Sequence, residues 1–299
     1  MQFYSPLRYP GGKSRLVPLI KLLIKKAGRE GSTYIEPFAG GAGVALALLF
    51  EGTVDRIVIN DYDKAVYSIW RAIKNEPLKL IKIIKETKIT IDEWQKQRAI
   101  YNDSSRSYSV ELAFATLFLN RVNRSGIITG GPIGGMAQQG NWKLDARFKK
   151  DVIIERISEI SKKRDAISIY NKDIIRLLDI YMPRFEDQAF VYFDPPYYNK
   201  AKKLYKNALS HDDHARIADR ILNHVNCPWV LTYDDVPEIL QLYQHLGARR
   251  FDLIYSAANK GKASEIIICS SRNLYPSDDD LSDDGFGLNM REWEDMNDY

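Results

Sequence analysis

The residues best suited to chemistry in this chain are Asp194, Pro195, Pro196 and Tyr197, directly after the apolar run 189–193 that predicts a buried strand. The Asp194 carboxylate and a carbonyl of the proline pair can accept hydrogen bonds from a planar amino group. The prolines lack N–H groups and fix φ, so the turn presents these acceptors in a stiff geometry. The Tyr197 ring offers a face on which a flat heterocycle can stack. This segment is therefore a candidate catalytic turn for a reaction at a planar amine.

A second candidate segment, 36–43, lies between a predicted strand over 33–38 and a predicted helix over 44–50. A glycine-rich turn in that position is typical of a nucleotide-type cofactor loop. Asp61 comes about 20 residues later, after the predicted strand 56–60, where an acid can accept hydrogen bonds from ribose hydroxyls. The spacing is G-G-x-G and not G-x-G-x-x-G, and Glu36 would repel a pyrophosphate but suit a cation. S-adenosylmethionine therefore fits these residues better than NAD.

The charge of the chain is distributed unevenly. Residues 273–299 hold nine acids against one arginine, a net charge of −8, so residues 1–272 carry +12 of a total of +4. A basic body predicts a polyanionic partner, with nucleic acid as the leading candidate. The composition of the tail, rich in acids, Gly, Ser and Asn, predicts a flexible or loosely attached segment.

Several protein classes are disfavoured by composition. No apolar run reaches the length of a membrane span, and the N-terminus does not resemble a signal peptide, so we expect a cytoplasmic protein. Cys227 and Cys269 lie in or beside apolar runs and are interpreted as buried free thiols. His211 and His214 have helical spacing but no H-E-x-x-H pattern or cysteine partners, so no metal is expected.

Strand and helix patterns alternate along most of the chain, which predicts a doubly wound, mostly parallel sheet. The first helix is predicted over 14–27, with Ser14 as its N-cap and Gly28 as its stop. The last two strands have no helix between them, which predicts an antiparallel hairpin. The remaining strands are predicted over 166–170, 229–233, 249–255 and 265–270, and the remaining helices over 63–74, 173–181, 211–224 and 236–244.

This alternation stops between residues 75 and 165, where the pattern is mostly helical and the net charge is +6. The segment 125–140 is rich in glycine, and its part 130–135 is a candidate β-hairpin. We therefore predict one domain of residues 1–74 plus 166–272, an inserted domain of residues 75–165, and an acidic tail of residues 273–299.

Taken together, these motifs resemble those of Dam-like N6-adenine DNA methyltransferases of the D12 class (alpha group). The likeness extends from residue 8 to about residue 270. It rests on four motifs in the family's order: Arg8–Lys13, Tyr34–Gly43, Asn60-Asp61 and Asp194–Tyr197. Weaker support comes from Asn171-Lys172-Asp173, where Ile174 replaces the family's Phe, and from Leu119–Gly126, which resembles the recognition-domain segment N-R-x-x-x-x-G.

The resemblance implies a Rossmann-like sheet with an antiparallel C-terminal hairpin in a catalytic domain, residues 1–74 plus 166–272. It also implies that the mainly helical insertion 75–165 is the target-recognition domain, whose part 130–135 could enter a DNA groove. It implies methyl transfer from S-adenosylmethionine to N6 of an adenine that is flipped out of duplex DNA and held by Asp194–Tyr197. The expected cofactor contacts are Tyr9, Gly12, Lys13, Glu36, Pro37, Phe38, Gly40, Gly43, Asp61, Asp173 and Asp194. The expected DNA contacts are Arg121, Asn123, Arg124, Lys143, Arg147 and Lys149.

Three other functions stay open at this stage. The same chemistry could act on RNA, because the D-P-P-Y turn suits any planar amine. The chain could also be a nucleic-acid-binding relative that has lost catalysis, although intact Asp194, Tyr197, Lys13 and Asp61 count against this. An NAD-dependent dehydrogenase is the third, disfavoured by the lack of proton-transfer residues near the glycine loop. The expected partner is double-stranded DNA, with a cognate restriction endonuclease as a further candidate, and we expect a monomer or weak dimer.

Overall fold

The computed structural model describes residues 3–8, 13–103, 108–198, 209–253, 263–277, 279–280 and 290–292. They form an eight-stranded mixed sheet with the strand order β3-β2-β1-β4-β5-β7-β6-β8. The strands are β1 (Thr33–Glu36), β2 (Arg56–Asn60), β3 (Ile167–Tyr170), β4 (Ala189–Phe193), β5 (Trp229–Asp234), β6 (Arg249–Leu253), β7 (Ala263–Cys269) and β8 (Met290–Glu292). The predicted α/β fold with antiparallel C-terminal strands is confirmed.

Ten α-helices are present among the described residues. They are α1 (Val17–Lys26), α2 (Gly43–Phe50), α3 (Lys64–Asn75), α4 (Pro77–Glu86), α5 (Ile91–Asp103), α6 (Val110–Val122), α7 (Lys150–Lys162), α8 (Ile174–Arg176), α9 (His211–His224) and α10 (Pro237–Leu242). A π-helical turn, Leu177–Tyr181, continues α8, so the single helix predicted over 173–181 is divided.

The beginning of α1 differs from the sequence prediction. Ser14 lies within a 3₁₀ turn, Lys13–Leu16, and the N-cap position belongs to Leu16, which makes no side-chain capping bond. A proline in the first turn of α1 supplies a fixed φ that starts the helix without a capping hydroxyl. The predicted stop is confirmed, because Gly28 follows the helix with a φ of 62°, a left-handed conformation that glycine adopts without strain.

The chain divides into two compact units. Unit 1 comprises Met1–Ser14, Ala39–Ala47 and Val58–Asn171, and unit 2 comprises Arg15–Phe38, Leu48–Ile57 and Lys172–Tyr299. The division into a catalytic domain and an inserted recognition domain stays a prediction.

Unit 1 is built around α6, which is buried at every position except Glu111 because most of its sequence is apolar. Helices α3, α4 and α5 pack against it, and α7 packs against α3 and α4. The aromatic rings of Phe118 and Phe148 lie 5.4 Å apart and join α6 to the segment that precedes α7. In place of the predicted hairpin over 130–135, the glycine-rich segment has turns and one isolated bridge, between Asn123 and Pro132.

Unit 2 contains the part of the sheet that carries the D-P-P-Y turn. Strands β1, β4 and β5 are parallel neighbours, and β4 is buried on both faces, as its unbroken apolar sequence predicts. Strand β7 pairs antiparallel with β5, and β6 pairs antiparallel with β7. The loop between β6 and β7 lies outside the described residues. Both cysteines, Cys227 and Cys269, are buried and free, which confirms their interpretation.

The acidic segment 273–299 is attached to unit 2 at three described places, which differs from the predicted flexible tail. The Tyr275 hydroxyl accepts a hydrogen bond from the Cys269 N–H at 3.1 Å and donates one to the Gly247 carbonyl at 2.9 Å. Asp280 forms an ion pair with Lys26 at 2.8 Å. Strand β8 pairs with β6 at the edge of the sheet. Acid-rich composition predicted solvation but could not predict strand pairing, which is a tertiary contact.

Candidate active site

The D-P-P-Y turn of unit 2 begins where β4 ends. Asp194 is partly buried, and its Oδ1 accepts a hydrogen bond from the Thr232 hydroxyl at 3.1 Å. The Thr232 oxygen lies 2.9 Å from the Tyr192 hydroxyl. Because Thr232 has one proton and donates it to Asp194, Tyr192 donates to Thr232. The carboxyl ends of parallel β4 and β5 meet at one edge of the sheet, so β5 supplies the group that orients the Asp194 carboxylate.

The two residues after the prolines are anchored by acids from neighbouring strands. The Tyr197 hydroxyl donates a hydrogen bond to Glu265, a fully buried carboxylate on β7. The backbone N–H of Tyr198 donates to Asp234 Oδ1 at 2.9 Å, and Asp234 ends β5 directly opposite Glu265. The ring of Tyr197 is therefore held by its hydroxyl as well as by its backbone.

Two histidines also contact Tyr198. The Tyr198 hydroxyl lies 3.1 Å from His211 Nδ1, and its ring centroid lies 5.1 Å from that of His214. His214 is buried, and its Nδ1 lies 2.7 Å from the Tyr233 hydroxyl. Burial lowers the pKa of His214 below its ordinary value, which favours the neutral ring. Among the described residues no group of three or more His, Cys, Asp or Glu side chains could hold a metal.

Sequence reasoning missed Thr232, Asp234 and Glu265. Each is a polar residue in an otherwise apolar strand, and this was the signal that could have identified them. A buried carboxylate such as Glu265 needs hydrogen-bond donors, so its presence within the run 263–269 indicates a partner on a neighbouring element.

Glu36 of unit 2 ends β1 and is exposed by only 4%. The Tyr34 hydroxyl donates to Glu36 Oε1 at 3.0 Å. Burial, and next the Glu36 charge, raise the pKa of Tyr34 well above its ordinary value, so Tyr34 remains a donor. Pro37 is buried and Phe38 partly buried behind this acid.

The glycine loop of unit 1 is joined to Asp61. Asp61 Oδ2 accepts from the Gly40 N–H at 2.9 Å, and Oδ1 accepts from the Asp63 N–H at 2.9 Å. The indole of Trp70 donates to the Gly40 carbonyl at 2.9 Å, so both peptide groups that flank the Gly40 Cα are fixed by side chains. Gly40 and Ala42 have φ angles of 47° and 45°, left-handed values that give the loop its tight turn.

The Asp61 carboxyl is partly buried and has no basic partner among the described residues of unit 1. Burial, and next the nearby Asp63, raise its pKa from 3.8 to about 7, although two backbone N–H groups act in the opposite direction. Each carboxylate oxygen retains a lone pair beyond its backbone bond. The site therefore favours a ligand that donates hydrogen bonds, such as the two hydroxyls of a ribose.

Each unit offers groups that suit S-adenosylmethionine. In unit 1, Asp61 offers acceptors for hydroxyls. In unit 2, the buried Glu36 offers a negative charge for a sulfonium or ammonium group. The glycine loop also packs closely on the 3₁₀ turn before α1, since a Cβ at Gly43 would lie 2.6 Å from the Ser14 hydroxyl oxygen. This chemistry suits a cationic nucleoside and would repel a pyrophosphate.

The other expected cofactor contacts differ in burial, and two of them lie outside the described residues. Lys13 is buried, exposed by 6%, whereas Tyr9 and Gly12 lie outside the described residues. Asp173 is exposed and caps α8 by accepting from the Ile175 N–H at 3.0 Å. Its neighbour Asn171 donates to the Asp61 carbonyl at 2.7 Å and so fixes the backbone behind that acid.

Asn123, expected to contact DNA, instead holds the glycine-rich segment. Its amide donates to the carbonyls of Ile127 at 3.1 Å and Ile128 at 2.8 Å, and its oxygen accepts from the Trp94 indole at 2.7 Å. The side chain is fully buried, so its placement differs from the expectation of a DNA contact. Arg98 also stabilises the glycine-rich segment, because its guanidinium donates hydrogen bonds to three backbone carbonyls of that segment, the shortest of them 2.9 Å.

The expected basic contacts fall into two groups. Arg121 lies in the last turn of α6 and is buried, exposed by 7%. Arg124, Lys143, Arg147 and Lys149 are exposed. Because α6 ends at Val122, Arg124 lies beyond the helix, at the entrance to the glycine-rich segment. Lys143 donates to the Gln138 carbonyl at 2.6 Å and thus also supports the loop.

Residues 9–260 match the model of the D12 class N6 adenine-specific DNA methyltransferases. The Type II methyltransferase M1.LlaDCHI of Lactococcus lactis subsp. cremoris is 25% identical over 287 residues, which are 89% of this chain and 95% of that protein. The Type II methyltransferase M.MjaIII of Methanocaldococcus jannaschii is 25% identical over 232 residues, 71% of this chain and 77% of that protein.

A crystal structure of a methyltransferase from Pyrococcus furiosus aligns with a TM-score of 0.35 at 12% identity, covering 85% of this chain and 83% of that one. The sheet and the matched family define the class as a methyltransferase. The chain belongs to the D12 class N6 adenine-specific DNA methyltransferase family, which confirms the resemblance seen in its motifs. In the described part of the chain, none of the helices combines the length and apolar character needed to cross a bilayer.

Proposed function

We propose that this protein transfers a methyl group from S-adenosylmethionine to N6 of a flipped-out adenine at a specific sequence in duplex DNA. The observation that carries the proposal is the oriented carboxylate of Asp194, bound by Thr232 at the end of β4. Beside it, the hydroxyl bond to Glu265 fixes the ring of Tyr197. An acceptor and an aromatic face in one stiff turn suit an exocyclic amine on a flat base.

In this mechanism Asp194 and the Pro195 carbonyl accept hydrogen bonds from the adenine amino group. The N6 lone pair is delocalised into the ring, so the amine is a poor nucleophile until these acceptors favour a pyramidal nitrogen. The same acceptors stabilise the positive charge that appears on N6 as the bond forms. Tyr197 stacks on the extruded base and aligns it. Asp194 thus acts as an acceptor, and the N6 proton leaves to water after transfer.

S-adenosylmethionine supplies an activated methyl group when bound, so the protein's task is alignment. Asp61 of unit 1 would accept hydrogen bonds from the ribose hydroxyls, and the Gly40 turn that it fixes would let the backbone approach the ligand. The charge of Glu36 in unit 2 would attract a cationic group of the cofactor, and Lys13, Gly43 and Asp173 remain proposed contacts.

Duplex DNA is the proposed polymer, with residues 75–165 as the target-recognition domain. The support is the family match, together with the exposed basic residues Arg124, Lys143, Arg147 and Lys149 around the glycine-rich segment. Basic side chains in such positions contact phosphates and guanine edges. A role beside a cognate restriction endonuclease is suggested by the Type II relatives.

The test is transfer of a tritiated methyl group from S-adenosylmethionine to duplex DNA, single-stranded DNA and RNA, with wild type beside Asp194→Ala and Asp194→Asn. We expect label in duplex DNA with wild type and none with Asp194→Ala, because the transition-state acceptor is removed while the fold is kept. Circular dichroism and DNA binding of the variants serve as controls. Preferential labelling of RNA, or near wild-type transfer by Asp194→Ala, would overturn the proposal.

A further inference from the structure

Four arginines of unit 1, here called the arginine cluster, gather at the C-terminal end of α6. They are Arg8, Arg121, Arg147 and Arg156. The N-terminal segment is bound to α6 and α7: the Asn120 side chain accepts from the Arg8 N–H at 2.8 Å and donates to the Arg8 carbonyl at 2.9 Å. Arg156 Nη1 donates to the Ser5 carbonyl at 2.8 Å. These bonds bring Arg8 and Arg156 to the helix end that carries Arg121.

Arg147 is brought to the same place by packing. It ends the 3₁₀ turn Leu144–Arg147, and the next residue, Phe148, packs its ring on Phe118, one helical turn before Arg121. Gly126 closes the other side, since the Asn120 amide also donates to its carbonyl at 2.8 Å. The cluster is therefore built by specific contacts of its neighbours.

The charge of Glu155 acts on Arg156 beside it, but in the described part of the chain none of the four guanidinium groups forms an ion pair with Asp or Glu. The Arg121 side chain is exposed by 7%, and both its Nε and Arg8 Nη1 are buried without a hydrogen-bond partner among the described residues. Burial, followed by the charges of Arg8, Arg156 and Arg147, lowers the pKa of Arg121 to about 10. A buried arginine with an unused donor beside other positive charges is costly unless an anion joins it.

We propose that the arginine cluster binds a phosphodiester group of the DNA backbone. Guanidinium groups pair with phosphate oxygens through two parallel hydrogen bonds, and several of them can share one phosphate. Arg121 is then a phosphate contact and not a reader of base edges, because its buried side chain cannot extend into a groove. This inference rests on the proposed function for the identity of the polymer. S-adenosylmethionine carries no phosphate, so the cofactor does not compete for this role.

The experiment compares full-length wild type with Arg147→Gln and Arg121→Met, using cognate and unrelated duplexes at several salt concentrations. Arg147 is exposed, so its replacement tests the cluster even if Arg121→Met does not fold. Arg164→Gln is the matched control, since this arginine of unit 1 is 62% exposed and lies outside the cluster. Because the slope counts neutralised phosphates, weakening the contact to one shared phosphate should lower the slope of log affinity against log salt by up to about 0.9.

We expect both cluster variants to bind cognate and unrelated duplexes more weakly and to a similar extent, with a reduced salt slope. The affinity and salt slope of Arg164→Gln should match those of wild type. Between 50 and 200 mM salt, the affinity of wild type should then fall by up to about 3.5-fold more than that of a cluster variant. An unchanged slope, or a weakening confined to the cognate duplex, would overturn the proposal.

A second arm separates free phosphate from the DNA backbone as the source of the anion. Inorganic phosphate is compared with chloride at constant ionic strength, and the thermal unfolding midpoint is measured without DNA. If phosphate stabilises wild type but the DNA slopes do not change, the site takes free phosphate and the backbone proposal is wrong. Methyl transfer is assayed separately: DNA binding through the cluster without transfer would overturn only the proposed function.

Discussion

The raised pKa of Asp61 predicts that cofactor affinity depends on pH. The carboxyl has a pKa of about 7, and hydroxyl donors of a ribose bind its ionised form. The ionised fraction falls from about 0.9 at pH 8 to about 0.1 at pH 6, and the apparent dissociation constant rises in inverse proportion. S-adenosylmethionine should therefore bind about tenfold more weakly at pH 6 than at pH 8.

Two variants test whether Asp61 is the group responsible. Asp61→Asn cannot ionise, so its affinity should be lower than that of wild type at pH 8 and should lack this step. Asp63→Asn retains a capping side chain for α3 but removes the neighbouring charge, so the step should move to lower pH. Calorimetric titration with S-adenosylmethionine and with S-adenosylhomocysteine measures both effects. Identical pH profiles for wild type and Asp61→Asn would refute the reasoning.

The same pKa has a consequence for stability. Folding raises the pKa of Asp61 from 3.8 to about 7, so the folded protein holds this proton more tightly than the unfolded chain. The stability that this provides is fully present below about pH 4 and is lost as the pH rises through about 7. The unfolding midpoint of Asp61→Asn, relative to wild type, should therefore be higher at pH 8 than at pH 5.

Further variants test three other contacts. Tyr197→Phe should transfer methyl far better than Tyr197→Ala, because stacking needs the ring; a Phe variant as inactive as Ala would contradict the stacking role. The Phe variant should also lose about 1–3 kcal/mol of unfolding free energy, since Glu265 loses a donor. Gly126→Ala should destabilise the protein by roughly 2–4 kcal/mol, because the new Cβ would lie 2.1 Å from the Arg8 carbonyl oxygen at a φ of 76°. Gly131→Ala is the control, since its Cβ would meet no atom within 4 Å and should leave stability nearly unchanged. Equal thermal unfolding midpoints for the two variants would refute this. A chain that ends before Tyr275 should unfold at a lower temperature than one that ends at residue 280, and identical unfolding curves would show that this attachment contributes nothing.

Much of the fold followed from local sequence signals. The bounds predicted for β2, β4 and α9 agree with the structure, because an apolar run or a helical repeat between polar residues specifies each element locally. The cap of α1 was wrong, because a 3₁₀ turn takes up Ser14 before the α-helix begins. The pairing of β8 with β6 could not be predicted, since an edge strand of three residues carries no periodic signal.

The candidate site was predictable only in part for the same reason. The D-P-P-Y turn and the loop at Gly40 are each a continuous stretch of sequence, so their residue types could be recognised directly. The residues that hold the D-P-P-Y turn lie elsewhere in the chain. Thr232 and Glu265 become relevant only once β5 and β7 are known to follow β4 in the sheet. Asn123 matched a recognition motif by residue type, but its burial and loop contacts are properties of the tertiary structure.

The most direct test of the central claim is the identity of the methylated atom. Wild type is incubated with duplex DNA and S-adenosylmethionine that carries a trideuterated methyl group. The DNA is then digested to nucleosides, which are separated and identified by mass spectrometry. We expect N6-methyladenine that carries all three deuterium atoms with wild type, and no methylated adenine with Asp194→Ala. Label on cytosine, or no label in any base while the cofactor binds normally, would contradict it.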